Sequence, residues 1–98
     1  MYFHVLFMNI DKDVGDEFFA RVQSCVARVL RELEGVSFFH FGPNVSGFPS
    51  QYTHVCIGAF TSSAAHDAYQ ASAVHAEMVA FMLPGMTAVT GDLDTRGA

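Results

Sequence analysis

The sequence predicts a single α+β domain, and three features of the chain support this fold class. The first is length, because 98 residues make one domain, spanning residues 1–98, and leave no room for a second. The second is composition: 51% of the residues are hydrophobic, which is enough for a core and high for a small lone monomer. The third is the order of the predicted elements, which is strand, helix, strand, strand, helix and strand.

The N-terminal third is predicted to form a strand and a long helix. Residues 2–10 alternate as a strand, with His4 and Leu6 on one face and Val5 and Phe7 on the other. Apolar residues then recur at helical spacing between residues 14 and 34 and form a stripe that is typical of a buried helix face.

Gly35 is predicted to end this helix from the C′ position, where glycine is common. Residues 36–41 are mostly large and apolar and favour a second strand. The loop that follows is rich in glycine and proline, as in Gly42, Pro43 and Pro49. These features separate the first strand–helix unit from the next one.

The stretch Gln51–His75 is predicted to form a strand and two helical pieces. Both faces of the strand are largely apolar, so we expect it to be covered on both sides. Residues 61–63 supply hydroxyl groups that favour an N-cap for a helix carrying Tyr69. A second helical piece is predicted to begin near Ser72 and to carry His75.

The remaining elements complete a ferredoxin-like plan, with four antiparallel strands and both helical regions packed on one face. Pro84 and Gly85 end the last helical segment, and residues 86–93 form the final strand. The opposite face, carrying Val55 and Ile57, is predicted to be apolar and uncovered within one chain. A second copy of the chain is the simplest cover, so we expect a homodimer.

Charge excludes several classes of partner. The net charge is −5, and the five basic residues do not form a continuous patch: they are Lys12, Arg21, Arg28, Arg31 and Arg96. Nucleic acid and anionic membrane surfaces are therefore not expected partners. The apolar opening segment lacks a basic start and a cleavage site and is too short to span a bilayer, which favours a cytoplasmic location. Cys25 and Cys56 are expected to be buried free thiols.

Several short motifs, in the same order along the chain, resemble those of the stress-responsive A/B barrel family, called Dabb. They are HVLF at residues 4–7, GPNVS at 42–46, YTH at 52–54 and the spacing from Tyr69 to His75. The resemblance extends from about His4 to Asp92. It implies a dimer in which two ferredoxin-like sheets close into an α+β barrel.

The resemblance also implies two kinds of function. The family includes plant stress proteins without a settled reaction and cofactor-free cyclases of poly-β-ketone chains, such as those of the olivetolic acid type. Carried over by position, the cyclase pattern implies that His75 is the general base and that Tyr69 or His4 is its orienting or acidic partner. His54 matches the third-strand histidine of the cyclases.

Three positions depart from the family pattern and suggest a different or roomier pocket. Residues 72–75 read Ser-Ala-Val-His where the family often has His-Pro-Ala-His. Val22 replaces an aromatic hydroxyl in the first helix of the cyclases. Gly91 replaces an aromatic residue that often precedes the aspartate of the last strand.

The residues themselves are compatible with acid–base chemistry in an apolar cavity between helices and sheet. Imidazoles suit proton transfer near neutral pH, because their ordinary pKa of about 6.5 is close to it. The cavity is predicted to be lined by His4, Leu6, Phe18, Val22, His54, Cys56, Tyr69, His75 and Phe81. Half-buried histidines and tyrosines also serve as structural residues, so residue type alone leaves both roles open.

No cofactor or metal is expected, because the chain has no closely spaced His-x-His, HExxH or phosphate-loop pattern. His40 and His66 are expected to be surface or packing residues. The sequence therefore favours a small cofactor-free enzyme acting on an apolar, polyketide-like carbonyl compound, by cyclisation or aldol-type chemistry. The alternative is a non-catalytic stress-responsive dimer that binds a small hydrophobic ligand.

Overall fold

The computed structural model describes residues 1–97, and this part of the chain forms four strands and three α-helices. The strands are β1 (Tyr2–Ile10), β2 (Val36–Pro43), β3 (His54–Phe60) and β4 (Met86–Asp94). The helices are α1 (Asp16–Glu32), α2 (Ser63–Gln70) and α3 (Ala73–Met82). Short 3-10 turns, Leu83–Gly85 and Thr95–Gly97, lie on either side of β4. The predicted domain, 1–98, ends one residue beyond the described part.

The four strands form one antiparallel sheet in the order β2-β3-β1-β4, which confirms the predicted ferredoxin-like fold. β1 is central, and its register places His4 opposite Gly58 on β3 and opposite Asp92 on β4. Directly opposed residues of antiparallel strands point to the same face of a sheet. The register of β1 and β4 therefore brings a histidine and an aspartate together on the helix-covered face.

The core lies between this face and the helices. Helix α1 contributes a stripe of buried residues at helical spacing, Val22, Cys25, Val26 and Val29. The sheet contributes large side chains with almost no exposure, such as Phe39 and Phe60. Both cysteines are buried and free, as predicted.

Helix α1 is shorter than the sequence predicts, and Gly35 does not occupy the C′ position. The helix ends at Glu32, because Leu33 already has an extended backbone with φ −113° and ψ 138°. Gly35 lies further on, with φ +74°, in the turn that leads into β2. A Cβ atom there would lie 2.8 Å from the Cβ of Ala65, so packing against α2 also requires glycine.

The opposite face of the sheet is apolar, and within residues 1–97 no helix lies over it, as the sequence predicts. Its large side chains remain accessible, with Phe7 43% exposed, Val89 53% and Leu93 59%. Val55 and Ile57 lie on the same face and are half-buried. Among the described residues, no helix is both long and apolar enough to cross a membrane.

Candidate active site

A cavity of about 270 Å³ lies between α3 and the strands β1, β3 and β4. Its walls are mainly apolar and include four methionines: the lining residues are Leu6, Met8, Cys56, Tyr69, His75, Met78, Val79, Met82, Leu83, Met86, Ala88 and Thr90. Its titratable groups are the Tyr69 hydroxyl, the His75 imidazole and the Cys56 thiol. Burial raises the pKa of that thiol to about 12, which keeps it protonated and unreactive near neutral pH.

The break between α2 and α3 places Tyr69 beside His75. Helix α2 ends at Gln70 and α3 begins at Ala73, with Ser72 as the N-cap, so the predicted helical break is present. The Ser72 hydroxyl donates to the Tyr69 carbonyl at 2.7 Å and accepts from the His75 backbone N–H at 3.2 Å. One side chain therefore joins the backbones of both cavity residues.

The Tyr69 and His75 rings meet edge to face, with their centroids 4.9 Å apart. Burial lowers the pKa of His75, and the nearby His4 lowers it further, although the backbone of Gln70 opposes the shift. Burial raises the pKa of Tyr69 well above its ordinary value, and the neighbouring Cys56 adds to the effect. At neutral pH the pair therefore combines a neutral imidazole, which accepts a proton, with a protonated phenol, which donates a hydrogen bond.

Behind Tyr69 lies His4, whose ring centroid is 6.0 Å from the tyrosine ring. Its Nδ1 is 2.6 Å from Oδ1 of Asp92, and the Tyr2 hydroxyl donates to Oδ2 of the same carboxylate at 2.6 Å. Partial burial raises the pKa of Asp92, but the hydrogen bonds from Tyr2 and His4 outweigh burial and the net shift is downward. The ionised carboxylate fixes the orientation of the His4 ring, which is not itself part of the cavity wall.

His66 belongs to the same cluster, although the sequence predicts only a surface or packing residue at this position. The side chain is buried, and its Nε2 lies 3.3 Å from Nδ1 of His4 and 3.8 Å from Oδ2 of Asp92. Its ring stacks on the Tyr2 ring, with the two ring centroids 4.3 Å apart. The spacing of three residues to Tyr69 is a signal for a shared helix face, and it points His66 inward as well.

Asp92 was also absent from the predicted site residues. Its position follows from the register of β1 with β4, which pairs it with His4. Alternation along β4 places Asp92 on the sheet face opposite to Gly91 and Leu93. A sequence pattern alone does not give the register of β4 with β1. Among residues 1–97, His4, His66 and Asp92 form the one group of three metal-ligating side chains whose ligand atoms all lie within 4.8 Å.

His54 lies away from this site, although it shares a sheet face with His4. It is paired with Met8, whereas His4 is paired with Gly58, so the two histidines are about 13 Å apart along the strands. Its ring stacks on Phe41 at 5.3 Å and on Phe19 at 5.0 Å. Burial lowers its pKa.

Three predicted lining residues also lie outside the cavity. Val22 is completely buried between α1 and the sheet and fills core space instead. The ring centroids of Phe18 and Phe81 are 5.8 Å apart, and both side chains border a shallow surface depression together with Arg21. They lie elsewhere because the cavity opens between α3 and β4, whereas α1 packs tightly against the core. Leu6, Cys56, Tyr69 and His75 do line the cavity.

Comparison with known proteins identifies the family. The model of the stress-responsive A/B barrel domain, Dabb, matches residues 3–91. The chain belongs to this family. No curated protein sequence matches the chain.

Solved structures with the same fold extend this comparison for the Dabb chain. An Arabidopsis thaliana protein is 25% identical, with a TM-score of 0.80 and coverage of 96% of this chain and 94% of that one. A Thermobifida fusca protein described as dimeric and ferredoxin-like is 14% identical, with a TM-score of 0.78 and coverage of 94% and 88%. A hydroxynitrile lyase from Passiflora edulis is 11% identical, with a TM-score of 0.75 and coverage of 96% and 94%.

The structure places two positions at which the sequence predicts a departure from the family pattern. Gly91 is paired with Val5, on the uncovered face of the sheet, and an added Cβ atom would contact nothing within 4 Å. Its missing side chain therefore leaves space on that face and does not enlarge the cavity under the helices. Val22 is part of the closed core and does not line the cavity.

Proposed function

We propose that this Dabb chain is a small cofactor-independent enzyme that acts on an apolar carbonyl substrate, with His75 as general base and Tyr69 as hydrogen-bond donor. The observation that carries the proposal is that both side chains line the cavity, where burial lowers the pKa of His75 and raises the pKa of Tyr69. Environments that push two neighbouring groups in opposite directions are typical of acid–base pairs. A polyketide-like substrate that undergoes cyclisation or an aldol-type step fits this pair.

The proposed reaction begins with transfer of a proton from the carbon next to a carbonyl group to the neutral imidazole of His75. The Tyr69 hydroxyl donates a hydrogen bond to the enolate oxygen that forms, in a cavity whose walls are mainly apolar. The enolate carbon then attacks a second carbonyl of the same chain, and the protonated His75 returns its proton to the new alkoxide. All protons are conserved, and no oxidant or reductant is consumed.

His4 and Asp92 act in this proposal as positioning residues. The ring centroids of His4 and His75 lie 6.0 and 4.9 Å from the centroid of the Tyr69 ring. The Asp92 carboxylate holds His4 through its Nδ1. Both imidazoles therefore lie against the ring of Tyr69, which is part of the cavity wall.

The direct test is exchange of an α-proton for deuterium in an alkyl 2,4-dione, followed by NMR in D₂O. This measurement reports base chemistry even when the natural substrate and product are unknown. His75→Ala should lower the protein-catalysed exchange rate by about a hundredfold or more, the usual size of a general-base contribution. Glu34→Ala is the control, because Glu34 is exposed between α1 and β2 and does not line the cavity. Full exchange activity in a folded His75→Ala protein would place the base elsewhere.

The alternative, a non-catalytic dimer that binds a hydrophobic ligand, is supported by the thioether-rich wall of the cavity. Met8, Met78, Met82 and Met86 adapt to apolar ligands of different shapes. Binding of a fluorescent probe such as anilinonaphthalene sulfonate, competed by the dione, would occur under both proposals. Saturable binding without any catalysed exchange in the wild-type protein would favour this alternative.

We further propose that a second copy of the chain covers the exposed sheet face. The proposal is supported by the exposure of Phe7, Val89 and Leu93 and by the description of the Thermobifida fusca neighbour as dimeric. Burying such a face removes apolar surface from water, at roughly 25 cal/mol per Å². The two sheets would then face each other, and each cavity would remain under its own helices.

A further inference from the structure

The side chains of His4, His66 and Asp92, called here the triad, converge on one point beside the cavity. We propose that the triad is a binding site for a first-row divalent cation of the zinc class. Two imidazole nitrogens and a carboxylate oxygen are ligands that Zn²⁺ accepts readily, with a fourth position left for water. The proposed acid–base function does not use such an ion, and the sequence lacks close ligand spacing because the three residues come from different elements.

The separation of the two imidazoles matches a metal geometry. Zinc–nitrogen bonds are about 2.0–2.1 Å long, and a tetrahedral angle then places two nitrogens about 3.4 Å apart. Nδ1 of His4 and Nε2 of His66 are 3.3 Å apart. The Asp92 oxygens lie 2.6 Å from Nδ1 of His4 and 3.8 Å from Nε2 of His66. A small rotation of the carboxylate makes these two distances similar.

The hydrogen bonds of the triad can be exchanged for bonds to a cation. When Nδ1 of His4 donates to the Asp92 carboxylate at 2.6 Å, the Gln70 amide at 3.2 Å supplies a hydrogen to Nε2 of His66. The two imidazole nitrogens, 3.3 Å apart, then have no hydrogen bond to each other. A divalent cation that displaces the His4 proton would bind both nitrogens and the carboxylate at once.

The surroundings of the triad resemble the outer shell of a metal site. The Tyr2 hydroxyl donates to the other oxygen of Asp92 at 2.6 Å, and the Tyr2 ring stacks on His66 at 4.3 Å. Contacts of this kind fix the orientation of metal ligands and increase their affinity. The Gln70 side-chain amide is 3.2 Å from Nε2 of His66, and a half-turn of the amide presents its oxygen as a further ligand.

Solvent reaches the triad through Asp92. The Asp92 side chain is 31% exposed, whereas those of His4 and His66 are 6% and 8% exposed. A hydrated cation therefore meets the carboxylate first and exchanges its water for the imidazoles behind it. This arrangement has an open entrance and a buried pair of nitrogen ligands.

The test uses the dialysed wild-type protein and measures Zn²⁺ binding by calorimetry and Co²⁺ binding by visible absorption. We expect one cation per chain and cobalt bands of the intensity that four- or five-coordinate sites give. His66→Ala and Asp92→Asn should each weaken Zn²⁺ binding at least tenfold. Asp13→Asn should leave it within twofold, because Asp13 is an exposed carboxylate in the turn between β1 and α1, away from the triad.

Two outcomes would overturn the proposal. One is a wild-type protein that binds no stoichiometric Zn²⁺ and gives only the weak spectrum of octahedral aqueous Co²⁺. The other is a folded His66→Ala protein, checked by circular dichroism, that binds Zn²⁺ as tightly as the wild type. If His66→Ala does not fold, the loss of the cobalt bands in Asp92→Asn decides the question, because that substitution keeps the side-chain shape.

Discussion

At the scale of single residues, environment gives the ionisable side chains their different properties. Tyr69 and His75 lie in the same wall, yet burial raises the pKa of one and lowers that of the other. The direction differs because burial always disfavours the charged form, which is the anion of tyrosine and the cation of histidine. Burial therefore maintains a neutral base and a neutral donor together over a wide pH range.

The pH dependence of catalysed α-proton exchange should show this lowered pKa. The rate should stay constant as the pH falls towards 6.5, the ordinary value for histidine, and should decline only below it, because His75 stays neutral. Tyr69→Phe should lower the plateau and leave the acidic midpoint in place, since the phenol is not the base. The profile is measured by NMR after subtraction of the buffer-catalysed rate. An acidic midpoint at or above 6.5 would contradict the assignment of His75.

The free energy of unfolding should fall as the pH falls below 6.5. His54, His66 and His75 have lowered pKa values in the folded protein, so the unfolded chain binds more protons in this range. Stability that is present above 6.5 is therefore lost as the pH decreases towards the folded values. Urea midpoints at pH 7.5 and 5.5 measure the change.

A matched variant tests this cause of the pH dependence. His54→Phe keeps an aromatic ring against Phe41 and Phe19 but removes one titrating group. It should reduce the loss of stability between pH 7.5 and 5.5. Equal urea midpoints at the two pH values in the wild type would show that the lowered histidine pKa values do not govern stability here.

At the scale of secondary-structure elements, the break between α2 and α3 is the feature that builds the site. Tyr69 and His75 are six residues apart, a spacing that an unbroken helix would place on different faces. Ser72 makes the break by capping α3 and by bonding to the last turn of α2. The Ser72 hydroxyl thus contacts the backbones of Tyr69 and His75 on the two sides of the break.

Ser72→Ala should affect both stability and exchange activity. Loss of the cap should lower the free energy of unfolding by about 1 kcal/mol, and Tyr69 and His75 should lose their common anchor. Ser62→Ala is the matched control, because Ser62 caps α2 with a similar bond to the Ala65 N–H but does not contact either cavity residue. Both variants should unfold at a lower urea concentration than the wild type. Only Ser72→Ala should also lose exchange activity under conditions in which both variants are folded. Equal activity in the two folded variants would show that the break does not depend on Ser72.

At the scale of the whole molecule, the uncovered sheet face is the proposed dimer interface. Val55→Asp should convert the proposed dimer to monomer, because the carboxylate would be buried without a partner at a cost of several kcal/mol. Leu30→Asp is the control, since Leu30 is 47% exposed on α1, away from this face. Analytical ultracentrifugation at micromolar concentration measures both variants. A wild-type protein that sediments as a monomer would refute the dimer.

The fold could be predicted closely because its signals are local. Alternation in Tyr2–Ile10, the apolar stripe of α1 and the hydroxyl caps at Ser62 and Ser72 each act within a few residues. The errors are local as well. The sequence predicts Gly35 at the end of α1, but Leu33 leaves the helix earlier because it joins the turn towards β2.

The sequence by itself determined the element order, the apolar faces and the presence of Tyr69 and His75 on one broken helical segment. Only the tertiary structure decided which other side chains join them. His4 and Asp92 are 88 residues apart and meet through the register of β1 with β4, while His66 reaches them from α2. The register of β1 with β3 places His54 about 13 Å along the sheet from His4, although the two residues share a face. Strand register and helix placement depend on the packing of the whole core, and no pattern within a single segment contains that information.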